Sequence, residues 1–514
     1  MNPLPAIHRA LVGAAISALL LSLWTCCGKA LAGVVDRQRP NVVWILVDDM
    51  SPNLSCLGDT SVRTPNLDGL ARRGVLFRRA FVTGSICSIS RSALVTGCYQ
   101  TRLGCQNHRS GSAANPIRLP EKSRLIPDLM KSGGYHVSNV GFDDFMRAGG
   151  AVGVAKTDYN FEWDRNGLYS TNHWSERGEG RPFFVQVQLP GGKLRGEVPR
   201  TNFPARVRGV LGECTPWSAV RLPPWLPADP VLLEDWAQYL DTVRYTDWQV
   251  GRILTRLEQA GEAERTVVMF WTDHGISHVR SKQFLYDAGI HVPLIVAGPS
   301  LPSGVVRSEL VEHIDIGVTT LRLGGLMVPE GMDGRLLPGM GGAGREFVFG
   351  ARDRADETVD RIRSVRSARY KYIRNFFPNR PYLQPNRYKD DKAVVRAVRR
   401  LYTDGALDSV QRLMLAEVRP REEFYELDTD PHEVSNRAGD PALAGELDRH
   451  RAALADWIRK TEDQGARVES EPVYLDYVFD GRPEGGRGNL GETFRMNVEL
   501  MQRWRTEKPM EVWP

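Results

Sequence analysis

Long apolar runs are what this sequence has least of. The one that stands out, Leu11 to Trp24, falls short of the roughly 20 residues a helix needs to cross a bilayer, which argues against stable membrane insertion. With Arg9 before it and Ala30-Leu31-Ala32 after it, the pattern is that of a secretory signal over residues 1–32, so export to the periplasm or the medium is expected. Cys26 offers lipid attachment as an alternative, although Trp24 is bulky for such a site. An excess of one charge sign is also missing. The formal net charge is +5, and it falls to +3 once Arg9 and Lys29 leave with the signal. A nearly balanced chain without a nucleic-acid motif is not expected to bind nucleic acid, so any charge signal must be local. Cysteine is scarce too: of seven, five lie beyond residue 32, namely Cys56, Cys87, Cys98, Cys105 and Cys214. An odd number in an exported protein leaves one thiol without a disulfide partner, and Cys87 is the candidate for a chemical role.

What is present is an ordinary globular composition, 42% hydrophobic and 25% charged, over 514 residues, enough for a large domain and a smaller one. Asn41 to Val47 is a continuous apolar run of the kind found in strands buried on both faces, and it ends in Asp48-Asp49. Thr266 to Thr272 repeats the pattern and ends in Asp273-His274-Gly275. Paired carboxylates repel unless a cation lies between them. Both clusters fall at the carboxyl edge of a parallel sheet, so they predict a shared divalent cation.

Between these runs, Thr64 to Gly74 reads as a capped helix, Val75 to Val82 as a strand, and Gly84 to Gly104 as the stretch that carries chemistry. A helical pattern starts at Ser88 and stops at Gly97, so Cys87 stands where a helix begins. Free N–H groups and the helix dipole attract anions there, and Arg91 adds a planar cation one turn in.

Further strands are expected at Tyr135–Val140, 182–189 and Val292–Ala297, with helices at Ile126–Ser132 and Leu233–Gly261, the latter read as plain packing. Strands alternating with helices over 41–325 predict a doubly wound α/β domain. Residues 352–421 hold 15 Arg and 3 Lys against 9 acids, interleaved with Tyr370, Tyr372, Phe376, Tyr382 and Tyr388, which reads as a basic surface suited to a sulfated glycan. Asp440 to Gly465 reads as a helix whose Leu443, Leu447, Leu454, Trp457 and Ile458 face a sheet.

Taken in order, these motifs resemble the sulfatase family of the alkaline-phosphatase-like superfamily. The group related to the heparan N-sulfatases fits best, through Lys156-Thr157-Asp158-Tyr159-Asn160-Phe161 and the runs from Arg363 to Asn375 and Glu422 to Leu427. The resemblance implies a doubly wound mixed sheet flanked by helices, with a smaller C-terminal α+β domain. The expected division is a catalytic domain over 33–340, a basic subdomain over 341–465 and an extension of unknown role over 466–514. It further implies sulfate-ester hydrolysis on a sulfated polysaccharide or oligosaccharide. Cys87 would be converted to formylglycine by a formylglycine-generating or sulfatase-maturing enzyme, and the hydrated aldehyde would attack sulfur. Asp48, Asp49, Asp273 and His274 would hold calcium, the histidine leaving room for another divalent metal.

Arg91 would fix the hydrate, and Lys156 and Lys282 would bind the sulfate oxygens. His108, Asp158, Lys193 and Arg363 are substrate-contact candidates. Two departures are visible: Ile89 replaces the proline of Cys-x-Pro-x-Arg, and Pro190-Gly191-Gly192-Lys193 stands where relatives carry a histidine acting as general acid. They keep two rival expectations open, a degenerate homologue that binds sulfated glycan without cleaving it and a phosphodiesterase or phosphonate hydrolase on the same fold. Residues 141–155 also separate the lysine motif from its strand. Either Lys156 loops back to the site, or Gly141-Phe142-Asp143-Asp144 occupies its place.

Overall fold

The run Asn41–Val47 forms the central strand β1, and alternation explains why all of it is apolar. Val42, Trp44 and Leu46 enter one hydrophobic core, Val43, Ile45 and Val47 a second core on the other face of the sheet. The computed structural model describes residues 39–195, 202–479 and 491–508; the expected signal over 1–32 lies outside them. With β1 run β2 (Gly74–Phe81), β3 (His136–Gly141), β4 (Phe183–Leu189), β5 (Thr266–Thr272), β6 (His291–Ala297) and β7 (Val305–Glu312), in the order β3-β4-β1-β5-β6-β2-β7. Pairing is parallel from β3 through β5 and antiparallel on both sides of β6, so the sheet is mixed.

Register positions the chemistry. Val47 lies opposite both Leu189 and Thr272, so β1, β4 and β5 end level. Their exits are stitched together by Asp48 N–H to the Leu189 carbonyl (3.0 Å), Asp273 N–H to the Val47 carbonyl (2.9 Å) and Gly192 N–H to the Asp48 carbonyl (2.9 Å). Four helices matter here: α1 (Pro65–Arg72), α2 (Cys87–Thr96), α3 (Pro230–Gln259) and α4 (Ala444–Lys460).

A second sheet, antiparallel in the order β11-β10-β9-β8, comprises β8 (Val348–Arg352), β9 (Ile362–Arg366), β10 (Tyr370–Asn375) and β11 (Glu422–Glu426). Helix α4 packs Leu447, Leu454 and Trp457 against its Val365, Tyr372 and Phe424. The predicted helix from Asp440 therefore starts later, because Pro441–Leu443 is a 3₁₀ turn, and it stops at Lys460.

The basic stretch 352–421 forms the expected charged surface only in part: Arg369, Arg396, Arg400 and Arg412 are exposed, but many of its cations turn inward. Arg352, Arg354, Arg363, Lys371, Arg380 and Arg419 are buried, paired with Asp360, Glu469, Asp353 and Asp463, Asp287 and Glu433, Glu507, and Asp360 respectively. These charges are matched partly by Asp353 and Asp360 within the stretch and partly by carboxylates from elsewhere in the chain, some of them in the extension beyond residue 465. That extension forms helices over Glu471–Val478 and Gly491–Thr506, and the Tyr474 hydroxyl donates to the Glu357 carbonyl at 2.8 Å.

Candidate active site

Helix α2 begins at Cys87 itself. Its N-cap, Ile86, is extended and offers no capping side chain, so the first-turn N–H groups are left to whatever lies beyond them. The Cys87 sulfur is 3.2 Å from His274 Nε2, 3.4 Å from Lys282 Nζ, 3.7 Å from Lys193 Nζ and 3.8 Å from an Asp49 oxygen. Burial pushes its thiol up, but the ammoniums of Lys282, Lys156 and Lys193 outweigh that and draw it down to about 7.

The carboxylates behind it divide into two groups. Asp48 faces cations: Arg91 in a short ion pair, Lys156 at 3.2 Å and Lys193 at 2.7 Å. Burial opposes its ionisation, yet these three cations hold its carboxyl well below the usual range. Asp49 adopts φ +52° and donates its N–H to Asp273 Oδ1 at 3.0 Å, which brings the two carboxylates together. Asp49, Cys87, Asp273 and His274 then offer ligand atoms within 4.8 Å of one another. His274 Nδ1 lies 2.8 Å from the Gly275 carbonyl, which can only accept, so that nitrogen carries the proton and Nε2 faces the carboxylates. Two carboxylates and an oriented imidazole fit a divalent cation. Asp48, also expected among the ligands, is not in that cluster and faces Arg91, Lys156 and Lys193.

Arg91 spans the floor, reaching Asp48, Asp273 at 3.3 Å and the Gln188 side-chain carbonyl at 2.7 Å. Lys282 lies 3.1 Å from both Asp49 oxygens. Burial would lower its pKa, and Asp49 and Cys87 reverse this, so it is held protonated. Lys156 does loop back: Ala155 N–H donates to the Asn139 carbonyl at 2.9 Å on β3, closing the intervening excursion at its base. Phe142–Met146 forms a short helix within that excursion, with Asp144 paired to Arg147, so it does not replace the lysine. Asp158 pairs with Lys156 at 3.5 Å and lies with it on a cavity of about 640 Å³.

Two expected substrate contacts are engaged by other side chains of the protein. Arg363 is fully buried between Asp353 and Asp463, so its guanidinium is not presented to the cleft. His108 lies behind the start of α2, its Nδ1 2.7 Å from Ser88 Oγ, and burial holds it well below its ordinary pKa.

The structure also adds residues. Gln188 and Asn139, on β4 and β3, join Arg91 to the sheet. Tyr388 places its hydroxyl 3.2 Å from Lys282 Nζ. The first turns of α3, expected only to pack, line a cavity of about 630 Å³ with Val231, Glu234, Asp235 and Gln238, opposite a wall that includes Tyr388 and Lys392; Asp49 and Lys193 also line it.

A mixed α/β sheet whose strand ends hold a thiol among lysines, an arginine and a carboxylate–histidine cluster defines a hydrolase site for tetrahedral oxyanions. The family model described as sulfatase matches residues 40–326, and that of the N-sulphoglucosamine sulphohydrolase C-terminal region matches 274–422. The chain belongs to the sulfatase family, and it is a sulfuric ester hydrolase. It is 28% identical over 477 residues to an ulvan-active sulfatase of Formosa agariphila, covering 85% of this chain and 77% of that one. It is 26% identical to the human N-sulphoglucosamine sulphohydrolase, covering 85% and 94%. In fold it matches a phosphonate monoester hydrolase from Silicibacter pomeroyi with TM-score 0.55 at 19% identity, covering 84% and 97%.

Proposed function

We propose that this chain is an exported sulfatase that releases sulfate from a sulfated glycan, with the nucleophile at position 87. The observation that carries the reading is the placement of the Cys87 sulfur at an uncapped helix start, within 3.7 Å of Lys282, Lys193 and His274. Relatives named for ulvan and for sulfated glucosamine support a sulfated saccharide as substrate.

Conversion of Cys87 by a sulfatase-maturing enzyme would supply, as the hydrate of formylglycine, an oxygen nucleophile for sulfur. Ile89 stands where the conversion motif carries proline. It is the third residue of α2, where the N–H has no partner within the helix, and its side chain fills a small core with Ile86 and Ala355.

Asp49, Asp273 and His274 would hold the divalent metal, with calcium the expected ion, and the metal would polarise the sulfuryl oxygens. The chain's own cations do the rest. Lys282, Lys193 and Lys156 face the space in front of Cys87, where charge builds on the sulfuryl oxygens as the ester bond breaks. Arg91, locked to Asp48, Asp273 and Gln188, fixes the carboxylates and the helix start in one geometry.

The test is release of inorganic sulfate from heparin-derived oligosaccharides, compared with turnover of an aryl phosphodiester. Sulfate release that is lost in Cys87→Ala supports the reading. Preferential phosphodiester turnover, or sulfate release unaffected by Cys87→Ala, contradicts it.

A further inference from the structure

A sugar alkoxide is a poor leaving group, so breaking its sulfate ester calls for a proton delivered to the bridging oxygen. The loop after β4 carries no histidine to deliver it. Lys193, which stands there, has its ammonium engaged by Asp48 at 2.7 Å, so its proton is held by a carboxylate. The other nearby candidates are buried or engaged by the protein. His278 is fully buried; its Nδ1 accepts the Val279 N–H at 2.9 Å and its Nε2 faces Asp235 at 3.6 Å. Lys389 donates to the His278 carbonyl at 2.6 Å. His274 faces the nucleophile side of the site.

Tyr388 is different. It lies on the short helix Arg387–Asp390, in the connection between β10 and β11, and its ring forms part of the wall of the cavity that Asp49 and Lys193 also line. Its hydroxyl is 3.2 Å from Lys282 Nζ and 2.9 Å from Ser277 Oγ. An ammonium can only donate, so the Tyr388 oxygen accepts from Lys282 and keeps its own proton to give. Lys282 in turn lies 3.4 Å from the Cys87 sulfur. A sulfuryl group that takes the Lys282 ammonium as partner therefore comes within reach of both the nucleophile position and the phenol. The Lys282 and Lys392 ammoniums also stand 4.8 and 4.6 Å from the ring centroid, which fixes the ring in place.

We propose that Tyr388 is the proton donor to the leaving oxygen, a role that rests on the sulfatase reading above. As the nucleophile at position 87 bonds to sulfur and the bond between sulfur and the sugar oxygen breaks, the electron pair of the broken bond goes to that oxygen, which takes the Tyr388 proton. The phenolate left behind is held by Lys282 and regains a proton from water.

The test is Tyr388→Phe assayed on aryl sulfates of graded leaving-group strength, from 4-nitrophenyl sulfate to phenyl sulfate. This design does not depend on knowing the natural sugar, and a ratio of rates does not depend on the fraction of folded enzyme. Loss of a general acid weighs most on the poorer leaving group. The ratio of kcat/KM for 4-nitrophenyl sulfate to that for phenyl sulfate should widen on the order of 100-fold in the variant relative to the wild type. An unchanged ratio, whether both rates fall or both hold, overturns the assignment while leaving the sulfatase reading intact. For a wild type that turns over only saccharide sulfates, Tyr388→Phe is compared with it on heparin-derived oligosaccharides, where an unchanged kcat/KM overturns the assignment; no sulfate release by the wild type from either substrate class overturns the reading and the assignment together.

Discussion

The Lys282 ammonium lies 3.1 Å from both oxygens of Asp49 and 3.4 Å from the Cys87 sulfur, so one buried cation links the carboxylate cluster to the nucleophile position. Lys282→Ala leaves Asp49 with fewer cations in a buried setting. The expected cost is about 3 kcal/mol of stability, together with a loss of about 100-fold or more in kcat/KM. Thermal unfolding and sulfate-release assays check the two effects, and a variant with wild-type activity would remove Lys282 from the site.

The same lysine shapes the thiol wherever Cys87 is unconverted. Because the Cys87 pKa is lowered to about 7, thiolate accumulates as pH rises through 7, well before an ordinary cysteine ionises. In chelator-treated, unconverted protein, iodoacetamide alkylation of Cys87 should rise with a midpoint near pH 7. In Lys282→Ala the midpoint moves upward. A wild-type midpoint above 8 would show that the lysines do not act on the sulfur.

Backbone packing beneath the carboxylates is tight enough to test with a single methyl group. A Cβ on Gly192 would sit 2.0 Å from the Asp49 carbonyl oxygen, and on Gly191, at φ +47°, 2.3 Å from a Val47 methyl. Gly192→Ala must therefore displace the loop that carries Asp49. A loss of at least 10-fold in sulfate release is expected. A crystal structure of the variant would show the shift, and unchanged kinetics would mean that Asp49 tolerates displacement.

Metal removal provides a separate test of the Asp49, Asp273 and His274 cluster. Dialysis against a chelator should abolish sulfate release, and calcium should restore it. His274→Ala should raise the calcium concentration needed for half-maximal recovery. Full activity after exhaustive chelation would exclude the cluster as a metal site.

Arg363 should behave as a structural residue. Arg363→Ala leaves Asp353 and Asp463 buried without their shared partner, which is expected to cost about 3 kcal/mol. KM should hold in the molecules that remain folded. A raised KM with unchanged thermal stability would instead place Arg363 on the substrate.

Much of the site was legible because short buried strands announce themselves. The runs ending in Asp48-Asp49 and Asp273-His274 are strands whose ends lie level, and the helix expected around Cys87 starts there. What composition could not convey is pairing. The arginines of 352–421 counted as a basic surface, yet many are paired inside the fold, some with Asp353 or Asp360 of the same stretch and some with carboxylates distant in sequence such as Asp463 and Glu469, and Arg363 belongs to that set. Tyr388 and Gln188 carry no local pattern. Tyr388 reaches the cleft only because the connection between β10 and β11 folds back onto the large sheet's strand ends, and Gln188 because β4 ends level with β1. Asp48 and Asp49 look equivalent in sequence, but successive side chains leave the chain in different directions, so one meets Arg91, Lys156 and Lys193 and the other meets Asp273 and His274.

The most direct test of the central claim is mass spectrometry of the peptide containing residue 87, from protein purified from its native host and already shown to release sulfate. An aldehyde in place of the thiol in most molecules is the predicted result, with Ile89 tolerated by the maturing enzyme. An unmodified cysteine throughout, in a preparation that still hydrolyses sulfate esters, would contradict it and place the nucleophile elsewhere.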